Sequence, residues 1–197
     1  MSEAQATELA PLSEELLNYL AELELEAALL ALAQVEGNPA ATVAQLAQVA
    51  LNQAEANPRG AAQWLALADV LQQRLGDSPA LLAQIEYAQA RLAAYTGDLP
   101  AAEAALRRAQ TRWQAIDDQA ALTRSYLGLT AILARQGRYA EAETAIRQAI
   151  LALSADTSSE STFFQLVRAY DNLATLLSYQ DRHTEALEEY GRVQQSL

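Results

Sequence analysis

Few residues in this chain have side chains that could take part in catalysis or bind a metal. The sequence has no cysteine and one histidine, His183, so it contains no thiol nucleophile, disulfide or thiolate zinc site. Glu22 and Glu26 lie four residues apart, the spacing that places two carboxylates on one face of a helix. Asp117 and Asp118 are adjacent acids that could bind a cation. These few groups limit the chemistry that the chain could perform.

Each of these groups has a structural explanation that we favour over a chemical one. No histidine accompanies Glu22 and Glu26, so we expect a solvated helix face. Asp117 and Asp118 precede a predicted helix, where acids act as caps. His183 occupies a turn position that Tyr139 fills in the preceding repeat, and we expect it to pack there. The sequence therefore predicts a non-enzymatic protein without a metal or cofactor, with an enzyme that uses His183 as the alternative.

The composition predicts an all-α fold. The chain of 197 residues contains 44 alanines but only 7 glycines, 5 prolines and 2 phenylalanines, so that helix formers dominate and strand formers are scarce. Apolar residues make up 51% of the chain, which is enough to bury a core in one domain or one small array of repeats.

Charge and hydropathy each argue against one class of partner. The net charge is −12, and the first 58 residues carry nine glutamates and no basic residue. Because nucleic-acid binding requires clustered cations, we expect no nucleic-acid partner. No apolar run approaches the roughly 20 residues that span a bilayer, so we expect no membrane partner and a cytoplasmic location.

Capping residues and glycines indicate where the helices begin and end. Asn38, Asn57 and Ser78 each precede a proline, a pattern typical of the first turn of a helix. Gly97 and Gly137 are placed to end the helices before them. Between these residues the apolar positions recur with helical spacing, which predicts about nine helices at 12–35, 39–56, 59–75, 79–96, 100–116, 119–136, 139–153, 160–180 and 184–196.

The N-terminal part differs from the rest. Residues 1–11 are expected to form a flexible leader, and 12–75 a divergent set of helices that caps the array. The first helix should bury one apolar stripe against its neighbours, and the polar 154–161 segment should be the most mobile connection. The predicted stripe consists of Leu16, Leu20, Leu23, Ala27 and Leu30.

The C-terminal two thirds contain an internal repeat. Turns at Gly97, Gly137 and Asp181 lie 40 and 44 residues apart. Each is followed at the same offsets by an alanine, a large residue and a further apolar residue, so that two helices can approach closely at the alanines. The corresponding residues are Ala102, Leu106 and Ala109, then Ala142, Ile146 and Ala149, and finally Ala186, Tyr190 and Val193.

These repeats resemble the tetratricopeptide repeat (TPR) family in a longer-helix form. Thr130 stands where the family usually has glycine, and Glu86 and Gln89 replace an expected Trp and Leu. The resemblance implies antiparallel helical hairpins at 79–116, 119–153 and 160–196, stacked as a right-handed α-solenoid within one continuous array over 79–197. The matching residues are Tyr126, Leu129, Leu133, Gly137, Tyr139, Ala142, Ile146 and Ala149, then Tyr170, Leu173, Ala174, Leu177, His183, Ala186, Tyr190 and Val193, with a weaker match from Pro58 and Trp64.

The same resemblance implies a binding groove, because in TPR arrays the first helix of each hairpin lines a concave surface. Two groups also share a helix face by spacing alone, namely Tyr87 with Arg91 and Tyr95, and Arg168 with Asn172 and Thr175. The groove residues that the resemblance implies are Gln84, Tyr87, Arg91 and Tyr95, then Arg124, Leu127, Ala131 and Arg135, and finally Arg168, Asp171, Thr175 and Tyr179. Spacing adds Asn172 to the last group.

Arginine and tyrosine are typical of interaction hot spots, so we expect a protein or peptide partner with an acidic or aromatic segment. The alternative is that Arg91, Arg124 and Arg168 form internal ion pairs, for instance with Glu86 or Asp171. The lysines and asparagines with which some TPR domains hold a C-terminal carboxylate are absent, so capture of a chaperone tail is not expected. A second hypothesis is a self-assembling or regulatory segment of a larger protein, which forms a homo-oligomer through an uncapped C-terminal end.

Overall fold

The described part of the chain is entirely helical, as its composition predicts. A computed structural model describes residues 12–34, 38–76, 78–155 and 160–196, with side chains described as far as residue 192. The predicted leader at 1–11 and residues 156–159 of the 154–161 connection lie outside these residues. The described ranges contain ten helices and no strand: α1 Glu14–Ala21, α2 Leu25–Leu32, α3 Pro39–Gln53, α4 Pro58–Leu75, α5 Pro79–Thr96, α6 Leu99–Ala115, α7 Gln119–Arg135, α8 Tyr139–Ser154, α9 Glu160–Tyr179 and α10 His183–Ser196.

The chain divides into two compact units, Met1–Thr96 and Gly97–Leu197. The boundary falls inside the hairpin predicted at 79–116, so α5 belongs to the N-terminal unit and α6 to the C-terminal unit. None of the described helices combines the length and apolarity needed to cross a bilayer.

In the N-terminal unit α3, α4 and α5 pack against one another. Their core includes Trp64, which is 2% exposed and donates a hydrogen bond from Nε1 to Gln53 at 3.1 Å. Gln89 of α5, at a position where the TPR pattern has leucine, donates a hydrogen bond to Asp69 of α4 at 3.1 Å. Burial raises the pKa of Asp69, and the hydrogen bond from Gln89 opposes this shift only in part. A polar contact thus replaces the expected apolar one.

The single helix predicted at 12–35 is wrong, because the structure has two short helices there. The chain leaves the helical conformation at Glu24, which has φ −65° and ψ 154°. Gln63 of α4 donates a hydrogen bond to the carbonyl of Leu23 at 2.6 Å, so a tertiary contact satisfies a backbone acceptor that the break leaves open. The break also separates Glu22 from Glu26, which therefore do not share one helix.

The break changes which side chains are buried. Leu20 is fully buried, but Ala27 and Leu30 of the predicted stripe are exposed, and Ala28 and Leu32 are buried instead. Because α2 begins again at Leu25 with its own orientation, the helical phase counted from α1 does not carry over. The predicted stripe is therefore wrong beyond Leu23.

In the C-terminal unit each helix from α6 to α10 packs against the next one along the chain. Asp98 and Asp118 cap α6 and α7 by accepting hydrogen bonds from backbone N–H groups at 3.0 and 2.9 Å, so the capping role predicted for the Asp117–Asp118 pair is confirmed at Asp118. The turns before α8 and α10 contain Gly137 and Asp181 with positive φ.

Alanines fill the tightest positions of this unit. Ala102, Ala109, Ala142 and Ala149 are fully buried and Ala186 is nearly so. Their predicted burial is confirmed, and it explains why the chain needs small residues at these offsets.

Candidate functional site

All the residues predicted to line a groove are exposed or half-buried, and none belongs to the core. They are divided between the two compact units. The α5 set, Gln84, Tyr87, Arg91 and Tyr95, lies in the N-terminal unit. The α7 set consists of Arg124, Leu127, Ala131 and Arg135, and the α9 set of Arg168, Asp171, Asn172, Thr175 and Tyr179, both in the C-terminal unit.

Within the α5 set, Arg91 contacts a tyrosine. Its Nη2 donates a hydrogen bond to the hydroxyl of Tyr95 at 3.3 Å, and its guanidinium lies 5.5 Å from the centre of that ring. Among the described residues Arg91 forms no ion pair, with Glu86 or any other acid. A cation–π contact one helical turn away therefore takes the place of the internal ion pair that we considered as an alternative.

Arg124 of α7 and Arg168 of α9 are exposed and share one property. Of the ten arginines in Gly97–Leu197, these two are the ones for which the described residues provide neither a hydrogen bond nor an ion pair. They lie 44 residues apart, the same separation as the turns at Gly137 and Asp181, and so occupy equivalent positions in successive repeats. The α8 helix packs against both α7 and α9.

Other members of the α9 set already have partners. The hydroxyl of Thr175 donates a hydrogen bond to the carbonyl of Asp171 at 3.0 Å. Tyr179 is 64% exposed and stacks on Tyr139 of α8, with ring centres 5.3 Å apart. Asn172 is exposed. The α9 set therefore offers the cation of Arg168 beside an amide and, near the end of the helix, an aromatic pair in which Tyr179 is exposed and Tyr139 half-buried.

The structure also contains an ion cluster that the sequence analysis missed. Glu103 of α6 accepts from Arg107 on the same helix at 2.8 Å and from Arg138, which precedes α8. Arg138 is held in turn by Glu141 at 2.6 Å and by Gln136 at 2.8 Å. This first ion cluster links side chains of α6 to the turn between α7 and α8.

A second ion cluster has the same design one repeat later. Glu143 of α8 accepts from Arg147 at 2.9 Å and from Arg182, which also binds Glu185 at 2.6 Å. Gln180 donates to Glu143 at 3.2 Å. Glu143 and Arg147 lie 40 residues after Glu103 and Arg107. Arg182 and Glu185 lie 44 residues after Arg138 and Glu141, and these two separations are those of the repeat turns. The Glu–Arg pairs at i, i+4 and the Arg–Glu pairs at i, i+3 were the signal that could have revealed the clusters.

These clusters make the C-terminal unit sensitive to acid. Partial burial alone would raise the pKa of Glu103 and of Glu143, but hydrogen bonds from the arginines outweigh it, and the pKa of each lies below its ordinary value of 4.5. The carboxylates of Glu103 and Glu143 therefore bind protons more readily in the unfolded chain than in the folded one. The stabilisation is fully present above the unfolded pKa and is lost as the pH falls through the lowered folded pKa.

We accordingly expect the melting temperature of the protein to fall as the pH drops below about 4.5. The Glu103→Gln/Glu143→Gln variant should have a lower melting temperature than the natural chain at neutral pH. Its melting temperature should also fall less on acidification, because it has fewer ion pairs to break. Thermal melts followed by circular dichroism across this pH range test the prediction. Equal pH slopes for the two proteins would contradict it.

The groups first considered for chemistry do not converge. His183 has a side chain that is 70% exposed, so the packing role expected for it is wrong, and its Nε2 lies 3.8 Å from Asp181. Within the described ranges no three carboxylate or imidazole side chains come together as metal ligands would.

Comparison with known proteins supports the fold and does not assign a family. No protein-family model and no curated protein matches the sequence. The crystal structure of BtubC (BKLC) from P. vanneervenii is similar to this chain, with a TM-score of 0.76 and 15% sequence identity, over 87% of this chain and 70% of that one. At this identity the similarity shows the fold alone. The chain is an all-α protein that shares its helical architecture with BtubC.

Proposed function

We propose that this chain is a non-enzymatic protein-interaction module, a TPR-like scaffold whose α7 and α9 sets bind an acidic segment of a partner protein. The observation that carries the proposal is the pair Arg124 and Arg168, two exposed arginines without partners in the described residues, at equivalent positions of successive repeats. A cytoplasmic location and the TPR relationship are parts of the same proposal.

The charge of the chain makes this pair unusual. The protein has 25 acidic and 13 basic residues, so acidic partners for an arginine are plentiful. Four arginines of the C-terminal unit, Arg107, Arg138, Arg147 and Arg182, are held by glutamates in the two ion clusters. A guanidinium without a partner, such as that of Arg124 or Arg168 within the described residues, can bind a carboxylate through two parallel hydrogen bonds. That interaction favours an acidic ligand.

The neighbouring side chains support a peptide as the ligand. Asn172 lies one turn from Arg168 on the same face of α9 and can hydrogen-bond to a peptide backbone. Tyr179, exposed near the end of α9, provides an aromatic surface of the kind enriched at interaction hot spots. These groups would bind a short acidic segment that also carries an aromatic residue.

The test is the binding of a fluorescein-labelled peptide rich in Asp, Glu and Tyr, compared with the same peptide in which Asn and Gln replace the acids. We expect the natural chain to prefer the acidic peptide, and the Arg124→Gln/Arg168→Gln variant to lose at least about tenfold in affinity through the lost charge-assisted hydrogen bonds. Fluorescence anisotropy at two salt concentrations measures both effects.

The control is Arg59→Gln, because Arg59 is an exposed arginine of the other unit and its replacement removes one positive charge, half of the change made in the double variant. This variant should bind as the natural chain does, and all three proteins should have the same circular dichroism spectrum. Equal affinity of the double variant and the control for the acidic peptide would refute the assignment of Arg124 and Arg168.

Self-association is the second candidate, and one observation favours it. In α10, Leu187 and Gly191 occupy the positions that Glu143 and Arg147 hold in the preceding repeat. Leu187 is 71% exposed, so the ion cluster is not repeated there and an apolar residue faces outward. Sedimentation of the natural chain and of a Leu187→Glu variant over a range of concentrations decides this question, since a concentration-independent monomer in both would exclude it.

A further inference from the structure

The N-terminal unit contains a leucine-lined cleft in which Arg74 is the one charged side chain among the described lining residues. The cleft lies between α2, α3 and the end of α4 and has a volume of about 280 Å³. Its walls include Leu29, Leu32, Leu71 and Leu75, and its polar side chains are Thr42 and Arg74.

The packing of the three helices explains why the cleft is open. Both α2 and α3 pack against α4, and the cleft lies between them. Leu29 and Leu71 are only partly buried, and Leu75 is 41% exposed at the last residue of α4. Apolar surface therefore remains accessible to a ligand, at the usual cost of leaving leucine side chains in contact with water.

Within the described residues, neither polar side chain of the cleft has a side-chain hydrogen bond or ion pair. Arg74 is exposed and has no hydrogen bond or ion pair there, and the hydroxyl of Thr42 has no hydrogen bond there. The α3 helix, which supplies Thr42, contains no charged residue. Because Arg74 lies in the last turn of α4, it also complements the helix dipole, but that role does not account for the open leucine surface.

We propose that this cleft binds an aliphatic monocarboxylate, with its alkyl chain on the leucines and its carboxylate on Arg74. An apolar site with a few converging polar groups is the usual form of a small-molecule site, and a guanidinium selects a carboxylate. The volume lies just below the roughly 300 to 1,000 Å³ of such sites, which favours an alkyl chain of medium length. This inference concerns the N-terminal unit and does not depend on the proposed function of α7 and α9.

The experiment uses sodium octanoate as the probe, below its micellar range, with hexanoate, decanoate and octanol for comparison. Titration calorimetry of the full chain should show affinity rising about fourfold for each methylene added until the cleft is full, since a buried methylene contributes about 0.8 kcal/mol. Octanol, which has the chain without the charge, should bind at least about tenfold more weakly than octanoate.

Two variants and one control locate the site. Arg74→Gln should lower octanoate affinity about tenfold and leave octanol affinity unchanged, and Leu75→Glu should weaken octanoate by placing a like charge beside it. Arg59→Gln, in the first turns of the same helix, should bind octanoate as the natural chain does. Backbone amide shifts in heteronuclear NMR spectra should concentrate on the ends of α2 and α4 and on the start of α3.

The proposal fails if octanoate does not bind, if octanol binds as tightly as octanoate, or if Arg74→Gln and Arg59→Gln have the same effect. A dipeptide acid such as acetyl-Leu-Leu forms the last arm of the test. Binding of that dipeptide without binding of octanoate would assign the cleft to a peptide C-terminus and overturn the proposal of an aliphatic monocarboxylate.

Discussion

Replacing Trp64 by alanine is expected to lower the free energy of unfolding of the N-terminal unit by about 3–5 kcal/mol. The indole is 2% exposed in the core shared by α3, α4 and α5, and its removal leaves a cavity and an unpaired Gln53. A typical domain has about 5–15 kcal/mol of stability, so a loss of this size removes a large part of it. Urea denaturation followed by circular dichroism measures the change.

A matched variant separates packing from hydrogen bonding. Trp64→Phe keeps most of the ring volume but removes the N–H donor, so we expect it to cost clearly less than Trp64→Ala. In both variants Trp113 of α6 becomes the only indole, and its fluorescence reports on the C-terminal unit. An unfolding midpoint of Trp64→Ala equal to that of the natural chain would mean that the core of the N-terminal unit is wrongly assigned.

Replacing Ala149 by leucine should destabilise the C-terminal unit by about 1–3 kcal/mol. Ala149 is fully buried in α8, which packs against both α7 and α9, and the larger side chain has to displace its neighbours. The expected effect is a lower urea midpoint with an unchanged denaturant slope.

Ala140→Leu is the control, because Ala140 lies on the same helix but is exposed, and its replacement should change stability by less than about 0.5 kcal/mol. If Ala149→Leu were as stable as Ala140→Leu, the register of the repeat deduced from the small residues would be incorrect.

Local signals in the sequence were sufficient for much of the helical architecture. Asn38 and Asn57 cap α3 and α4 as expected, each with a side-chain oxygen that accepts a backbone N–H at 3.0 Å. Gly97 and Gly137 adopt positive φ at helix ends, and the repeat offsets placed Ala142 and Ala149 in the core. These features depend on residues within a few positions of one another, which is the range over which spacing is informative.

Tertiary contacts decided the features that the sequence did not predict. The break between α1 and α2 is stabilised by Gln63, 40 residues away, and no local pattern announces it. The pairing of Glu103 with Arg138 likewise joins residues 35 positions apart. The TPR resemblance implied that Arg124 and Arg168 lie on helix surfaces, but only the surrounding ion pairs of the C-terminal unit distinguish them from its other arginines.

Site-specific cross-linking tests the central claim, that α7 and α9 together bind one acidic segment. A photoreactive phenylalanine would replace Ala131 of α7, Asn172 of α9 or Gln148 of α8, three exposed positions of which the first two share a helix face with Arg124 and Arg168. With the labelled acidic peptide, we predict cross-links from positions 131 and 172 that the Arg124→Gln/Arg168→Gln background removes, and little product from position 148. Equal yields from all three positions, or yields that the double substitution leaves unchanged, would contradict the claim.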